Sequence, residues 1–137
     1  MTSVQEALAR LRADQASGAL EELCASQHIA VLMLHGSVLR DAAVARDLDL
    51  AYCFDRGVRG DEFAVATAFI TRYGDHVDLM PLDRAGAVAK FGALNYGEPL
   101  VERVPEMVAR LRIAAFGQYR DEEPFRRAAL ERLAHGS

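Results

Sequence analysis

Cysteine and lysine are nearly missing from this chain, and long hydrophobic runs are missing altogether. The two cysteines, Cys24 and Cys53, stand in unrelated contexts without C-x-x-C or Cys/His spacing, which argues against a disulfide framework or a thiolate zinc site and for two reduced core residues. No apolar stretch is long enough to cross a bilayer and no basic-then-apolar leader is present, so a cytoplasmic protein without membrane contact is expected. The only lysine, Lys90, precedes Phe91. There is therefore no G-x-x-x-x-G-K-[ST] loop, and no G-x-G-x-x-G either, so phosphate-loop kinase and dinucleotide-binding readings fall away. Bases are in deficit: 16 against 20 acids give a formal charge of −4. Together with the lack of a basic run, that counts against nucleic acid as a partner. The remaining bases are arginines, whose guanidinium suits phosphate and carboxylate contacts.

What is present fits one compact domain: 137 residues, 51% of them apolar, enough for a single core. Thr2 and Gln5 occupy capping-box positions ahead of a helix carrying Val4, Leu8 and Leu11, which Ser17-Gly18 interrupts before a second helix over 19–25. Residues 29–34 form a continuous apolar run of strand length, suited to a strand buried on both faces. His35-Gly36-Ser37 ends it in a tight turn, and 38–45 reads as a short helix. Residues 47–54 alternate, with Leu48, Leu50, Tyr52 and Phe54 on a packing face and Asp47, Asp49, Ala51 and Cys53 on a presented one. Gly57 and Gly60 mark a turn. Asp61 then caps a helix whose apolar face is Phe63, Ala66, Phe69, Ile70 and Tyr73. A short strand over 76–80 follows, stopped by Pro81, with Asp78 facing away from Val77 and Leu79. Helical patterns over 84–95, 104–116 and 125–134 are separated by Gly97-Glu98-Pro99 and by residues 121–124. Three strands among helices predict an α/β domain: a small mixed sheet with flanking helices and a helical C-terminal tail, the core over about 29–102 and the tail over about 103–137.

Asp47 and Asp49, at i and i+2, point one way, and Asp78 is equivalently turned on another strand. Pairing those strands would gather three carboxylates. At about 4 Å and an effective dielectric near 20, each like-charge pair repels by about 4 kcal/mol, which calls for a counter-cation. Mg²⁺ is the natural one, since it sits on a few carboxylates and leaves coordination positions to water and substrate phosphates. Gly36-Ser37 before a helix start offers backbone N–H groups to phosphate. Each feature alone has a plain structural reading: a solvated strand face for the acids, a turn and an N-cap for Gly36 and Ser37.

The ordered set, Gly36-Ser37-Val38-Leu39-Arg40, then Asp47-Leu48-Asp49-Leu50, then Val77-Asp78-Leu79, resembles the signature of the DNA polymerase β-like nucleotidyltransferase superfamily, and within it the minimal nucleotidyltransferases, or MNT group. The resemblance covers residues 29–102, and Tyr119-x-Asp121-x-x-Pro124 is similar to the tail of that group. It implies the polymerase β-like fold, Mg²⁺ held by Asp47, Asp49 and Asp78, ATP as substrate with its triphosphate at Gly36 and Ser37, Arg40 near a phosphate or the leaving pyrophosphate, and Asp78 assisting deprotonation of the acceptor hydroxyl. Asp41 stands where a glycine is usual and Arg46 where a serine is common, which bears on loop detail. The resemblance further implies a helical HEPN-type toxin as partner, neutralised by AMP transfer to a tyrosine. Alternatives are a binding subunit that blocks its partner without catalysis, or transfer to a small-molecule hydroxyl such as an aminoglycoside's. The plain alternative for Arg40 is an ion pair with Asp41. For His35, His76 and Tyr96 it is structural packing.

Overall fold

The computed structural model describes residues 2–136. Helix α1 (Val4–Ser17) opens the chain and buries Val4, Ala7, Leu11 and Asp14. Its capping box lies one residue later than the sequence pattern suggests: Ser3 is the N-cap, accepting from the Glu6 N–H, and its hydroxyl meets the Glu6 carboxylate at 3.1 Å. Gln5 is free for another task, and its amide donates to the carbonyls of Ala42 and Ala43. Gly18, at φ 91°, turns the chain into α2 (Ala19–Ser26).

Strand β1 (Ile29–His35) is the centre of the molecule. It pairs antiparallel with β2 (Leu48–Phe54) on one side and with β4 (Glu98–Glu102) on the other, while β2 pairs parallel with β3 (Val77–Pro81), giving the order β3-β2-β1-β4. The sheet is mixed, as expected, but has four strands rather than three. Gly97-Glu98-Pro99, read as a breaker, enters β4. Proline is tolerated there because β4 is an edge strand and the ladder is irregular between Leu32 and Met33, where Pro99 pairs.

Apolar side chains fill both faces. Ile29, Leu32, Leu34, Leu48, Leu50 and Tyr52 pack under α1, α2 and α4 (Glu62–Tyr73), whereas Ala30, Val31, Met33, Ala51 and Cys53 pack under α5 (Ala87–Asn95) and α6 (Met107–Asp121). A bulge between Ile29 and Val31 puts Ala30 and Val31 into the same layer. The expected presented face of β2 is thus covered at Ala51 and Cys53 and open only toward Asp47 and Asp49. Helix α4 buries Phe69 and Tyr73 as expected, but its third buried residue is Val65, and Phe63 is 82% exposed. Both cysteines are buried and free, and burial pushes their thiols up to about 12 for Cys24 and about 11 for Cys53.

The helix expected over 38–45 is a single turn, α3 (Ser37–Arg40). Asp41 ends it by accepting the Ala43 N–H on its side chain, a local turn that competes with helix continuation. The tail is α6 followed by α7 (Glu123–Ala134), which buries no side chain. Arg126 joins the two, its guanidinium 3.8 Å above the Tyr119 ring and donating to the Tyr119 carbonyl, while Tyr119 stacks on Phe91 of α5.

Candidate active site

Sheet register assembles the site. Asp49 lies directly opposite Asp78 across the parallel β2/β3 pair and directly opposite His35 across the antiparallel β2/β1 pair. Residues opposite one another in a sheet share a face, and neighbouring strands are about 4.8 Å apart. Asp78, Asp49 and His35 therefore form a row across three strands, on the α5 side of the sheet. Asp47 sits two residues before Asp49, just ahead of β2, and is exposed, as is Asp78. Asp49 is half-buried.

Its electrostatics bear out that closeness. Burial raises the Asp49 carboxyl above its usual range; Asp78 and Asp47 push it further up, while His35 and Arg40 pull it down. Among the described residues no carboxylate in this group forms an ion pair, and no group of three or more His, Cys, Asp or Glu side chains is placed to hold a metal ion as the side chains stand. Asp47, Asp49 and Asp78 offer only anionic hard-oxygen donors, a chemistry that fits Mg²⁺ better than a softer ion.

The turn joining β1 to α3 is built against the same carboxylate. Gly36 has φ 83° and ψ −156°, a region essentially restricted to glycine, and a Cβ there would lie 2.3 Å from Asp49 Oδ2. The backbone of Gly36-Ser37 thus passes directly over Asp49. With only one helical turn behind it, little macrodipole accumulates; the anion-attracting groups are the N–H groups opening the turn.

Two clefts flank the turn. One, about 440 Å³, has Ser37, Arg40, Arg46 and Asp47 in its wall. The other, about 490 Å³, lies between α3 and α5 and is lined by His35, Gly36, Arg40, Met80 and Tyr96 among others. Arg40 faces both and makes no ion pair with Asp41 among the described residues. Its plain alternative is not realised. Tyr96 is 77% exposed, edge-on to Phe91, so it is a cleft wall rather than core packing. His76, read as a strand residue beside Asp78, falls in the turn before β3, where its carbonyl accepts the Leu48 N–H. Packing is the plain alternative for His35, yet its Nε2 is the one buried side-chain nitrogen or oxygen without a hydrogen-bond partner among the described residues. The sequence signal for it was a polar side chain continuing the Val31, Met33 alternation into an apolar strand's open end.

No family model matches the sequence, and no curated protein matches it. Solved structures do. The chain is similar to one of a tri-AMPylated HEPN toxin from Shewanella oneidensis in complex with MNT antitoxin, with TM-score 0.70 and 16% identity over 90% of this chain and 98% of that one. The fold is that of the MNT antitoxins. A toxin–antitoxin structure with AMP-PNP gives TM-score 0.69 and 16% identity, covering 84% and 95%. An MntA–HepT toxin–antitoxin structure gives 0.67 and 16%, covering 85% and 95%. At these identities the likeness establishes the fold, and the sheet row and glycine turn described above are this chain's own.

Proposed function

We propose that this chain is a Mg²⁺-dependent nucleotidyltransferase that moves AMP from ATP to a tyrosine hydroxyl of a HEPN-type toxin, and so acts as its antitoxin. The observation that carries the reading is the juxtaposition of Asp49 with Asp78 in register and Gly36 against the Asp49 carboxylate. Asp47, Asp49 and Asp78 would hold the metal, which when bound neutralises triphosphate charge and acidifies the acceptor hydroxyl. The Gly36-Ser37 backbone binds phosphate oxygens, and Arg40 draws off charge as pyrophosphate forms. The acceptor oxygen forms its bond to the α-phosphorus while the bond from that phosphorus to the α–β bridging oxygen breaks. The phenol proton passes to a carboxylate oxygen of Asp78, exposed on the edge strand where an acceptor enters. Tyrosine, with an ordinary pKa near 10, gives up that proton more readily than serine. Neighbours of the same fold include a complex with an AMPylated toxin and a complex with AMP-PNP, which supports the class of reaction and of partner.

Intact-mass spectrometry of a HEPN-type protein encoded beside this one, after incubation with this chain, ATP and Mg²⁺, tests the reading. One AMP adduct per modified hydroxyl is expected, and none with Asp47→Asn. An unmodified but inhibited partner would instead support a purely binding antitoxin, a reading favoured by the exposed apolar side chains of α7, Phe125, Leu130 and Leu133. AMP on an aminoglycoside would support a small-molecule acceptor.

A further inference from the structure

The row across the sheet has two ends. Asp78 stands on the edge strand, open to an approaching acceptor, and His35 stands on the other side of Asp49, on the central strand and beneath the cleft between α3 and α5. Two strand spacings, about 10 Å, separate them. A buried ring nitrogen left without a partner is costly to a fold, and such atoms are rare in native structures. The His35 side chain is among those lining a cleft with Gly36, Leu39, Arg40, Met80 and Tyr96, and Gly36 belongs to the glycine turn.

We propose that His35 Nε2 hydrogen-bonds a ribose hydroxyl of the bound nucleoside triphosphate, and so reads the sugar. The inference rests on the nucleotidyltransferase reading above and adds the group that recognises the sugar. The connectivity of the ligand singles out that group. With phosphates on Gly36-Ser37, the residue adjacent to the turn meets what is joined to the α-phosphate through one methylene, which is the sugar; the base lies farther off, toward Tyr96. A hydroxyl also suits the site whichever tautomer the imidazole adopts, because its O–H donates to a bare Nε2 and its oxygen accepts from an Nε2–H. The neighbouring Asp49 cannot serve, since it is committed to the cation.

Calorimetric titration of the full chain with ATP, 2′-deoxy-ATP and 3′-deoxy-ATP, without an acceptor, tests the proposal apart from transfer. Wild type is expected to bind one of the two deoxy analogues about 5- to 10-fold more weakly than ATP, the worth of one neutral hydrogen bond. His35→Phe, a similar ring without nitrogen, should erase that difference while leaving affinity for the discriminated analogue unchanged. His35→Gln, which keeps a polar end, should retain part of it. Circular dichroism melting confirms that both variants fold. Selectivity surviving in His35→Phe, or all three nucleotides binding wild type equally, would overturn the proposal. Discrimination without any AMP transfer would sustain it and count against the reading of the reaction. A wild type that binds none of the three would overturn both.

Discussion

Two carboxylates in this molecule, Asp14 and Asp49, are both drawn into the protein and are treated in opposite ways. Asp14 is 6% exposed and fully answered: Arg72 grips it through Nε and Nη2 at 2.6 and 2.7 Å, and the Tyr73 hydroxyl donates to it at 2.7 Å. Those bonds, the Arg72 guanidinium foremost, hold its carboxyl below the usual range. Asp49 has no such partner, and burial and two further aspartates hold its carboxyl above that range. A charge answered from within ties α1 to α4. A charge left unanswered among others of its sign marks a place where the counter-charge comes with a ligand.

The sharpest way to break the contrast is to neutralise each carboxylate in turn. Asp49→Asn should reduce AMP transfer on the order of 100-fold or more, the scale of losing a major transition-state stabiliser, while its melting temperature stays at or above that of wild type. Asp14→Asn should do the reverse. It should cost about 2 kcal/mol by stripping charge from a buried hydrogen-bonded group, roughly 8 °C in melting temperature, with the transfer rate of the folded protein unchanged. Steady-state transfer assays and thermal melts on both variants check this, and a destabilised Asp49→Asn with intact transfer would invert the assignment.

Two glycines extend the comparison to the backbone. Gly36 and Gly74 both adopt positive φ with extended ψ, 83° and −156° against 101° and 176°. Alanine at either should destabilise by about 1–3 kcal/mol. Only Gly36→Ala should also weaken ATP binding, because its Cβ would meet the Asp49 carboxylate, whereas that of Gly74 would meet Thr2 at 3.2 Å. At the phosphate end, Arg40→Ala should lower ATP affinity by about 1.5–3 kcal/mol and Ser37→Ala by about 1, since a charge-assisted contact outweighs a neutral one. Calorimetry gives both values.

Acid separates the two carboxylates most finely. The stability Asp14 contributes is fully present above its unfolded pKa of 3.8 and is lost as pH falls through its lower folded value. Ionised Asp49, with a folded pKa above 3.8, opposes folding at neutral pH, and that opposition fades as pH falls through the raised value. Denaturant titrations between pH 3 and pH 7 should therefore show wild type losing its advantage over Asp14→Asn on acidification, and Asp49→Asn losing its advantage over wild type.

The fold class and the facing of strand residues were more legible in the sequence than the limits of its helices. That Asp49 and Asp78 share a face could be read because period-2 alternation fixes which way a strand residue points wherever no bulge intervenes, whereas Asp47 falls just ahead of its strand and Gly36 in the turn before α3. Helix limits were less legible. Residues 38–45 look helical by composition, but the Asp41 side chain captures the Ala43 N–H and ends the helix after one turn. Edge strand β4 was hidden by Pro99, which reads as a breaker until a sheet edge makes it harmless. On α4 several overlapping stripes satisfy a helical period, and only the partner surface decides that Val65, and not Phe63, is the buried one. His35 was visible as a residue, but its unpartnered nitrogen emerges only from the packing.

The most direct test of the central claim is the stabilisation conferred by Mg²⁺ and ATP together on wild type, Asp14→Asn and Asp49→Asn, read as the shift in melting temperature at saturating ligand, which depends on binding to the folded state alone. Wild type and Asp14→Asn should shift by the same amount from different starting temperatures, and Asp49→Asn should lose most of the shift while starting no lower than wild type. An Asp49→Asn protein that keeps the full shift would contradict the account.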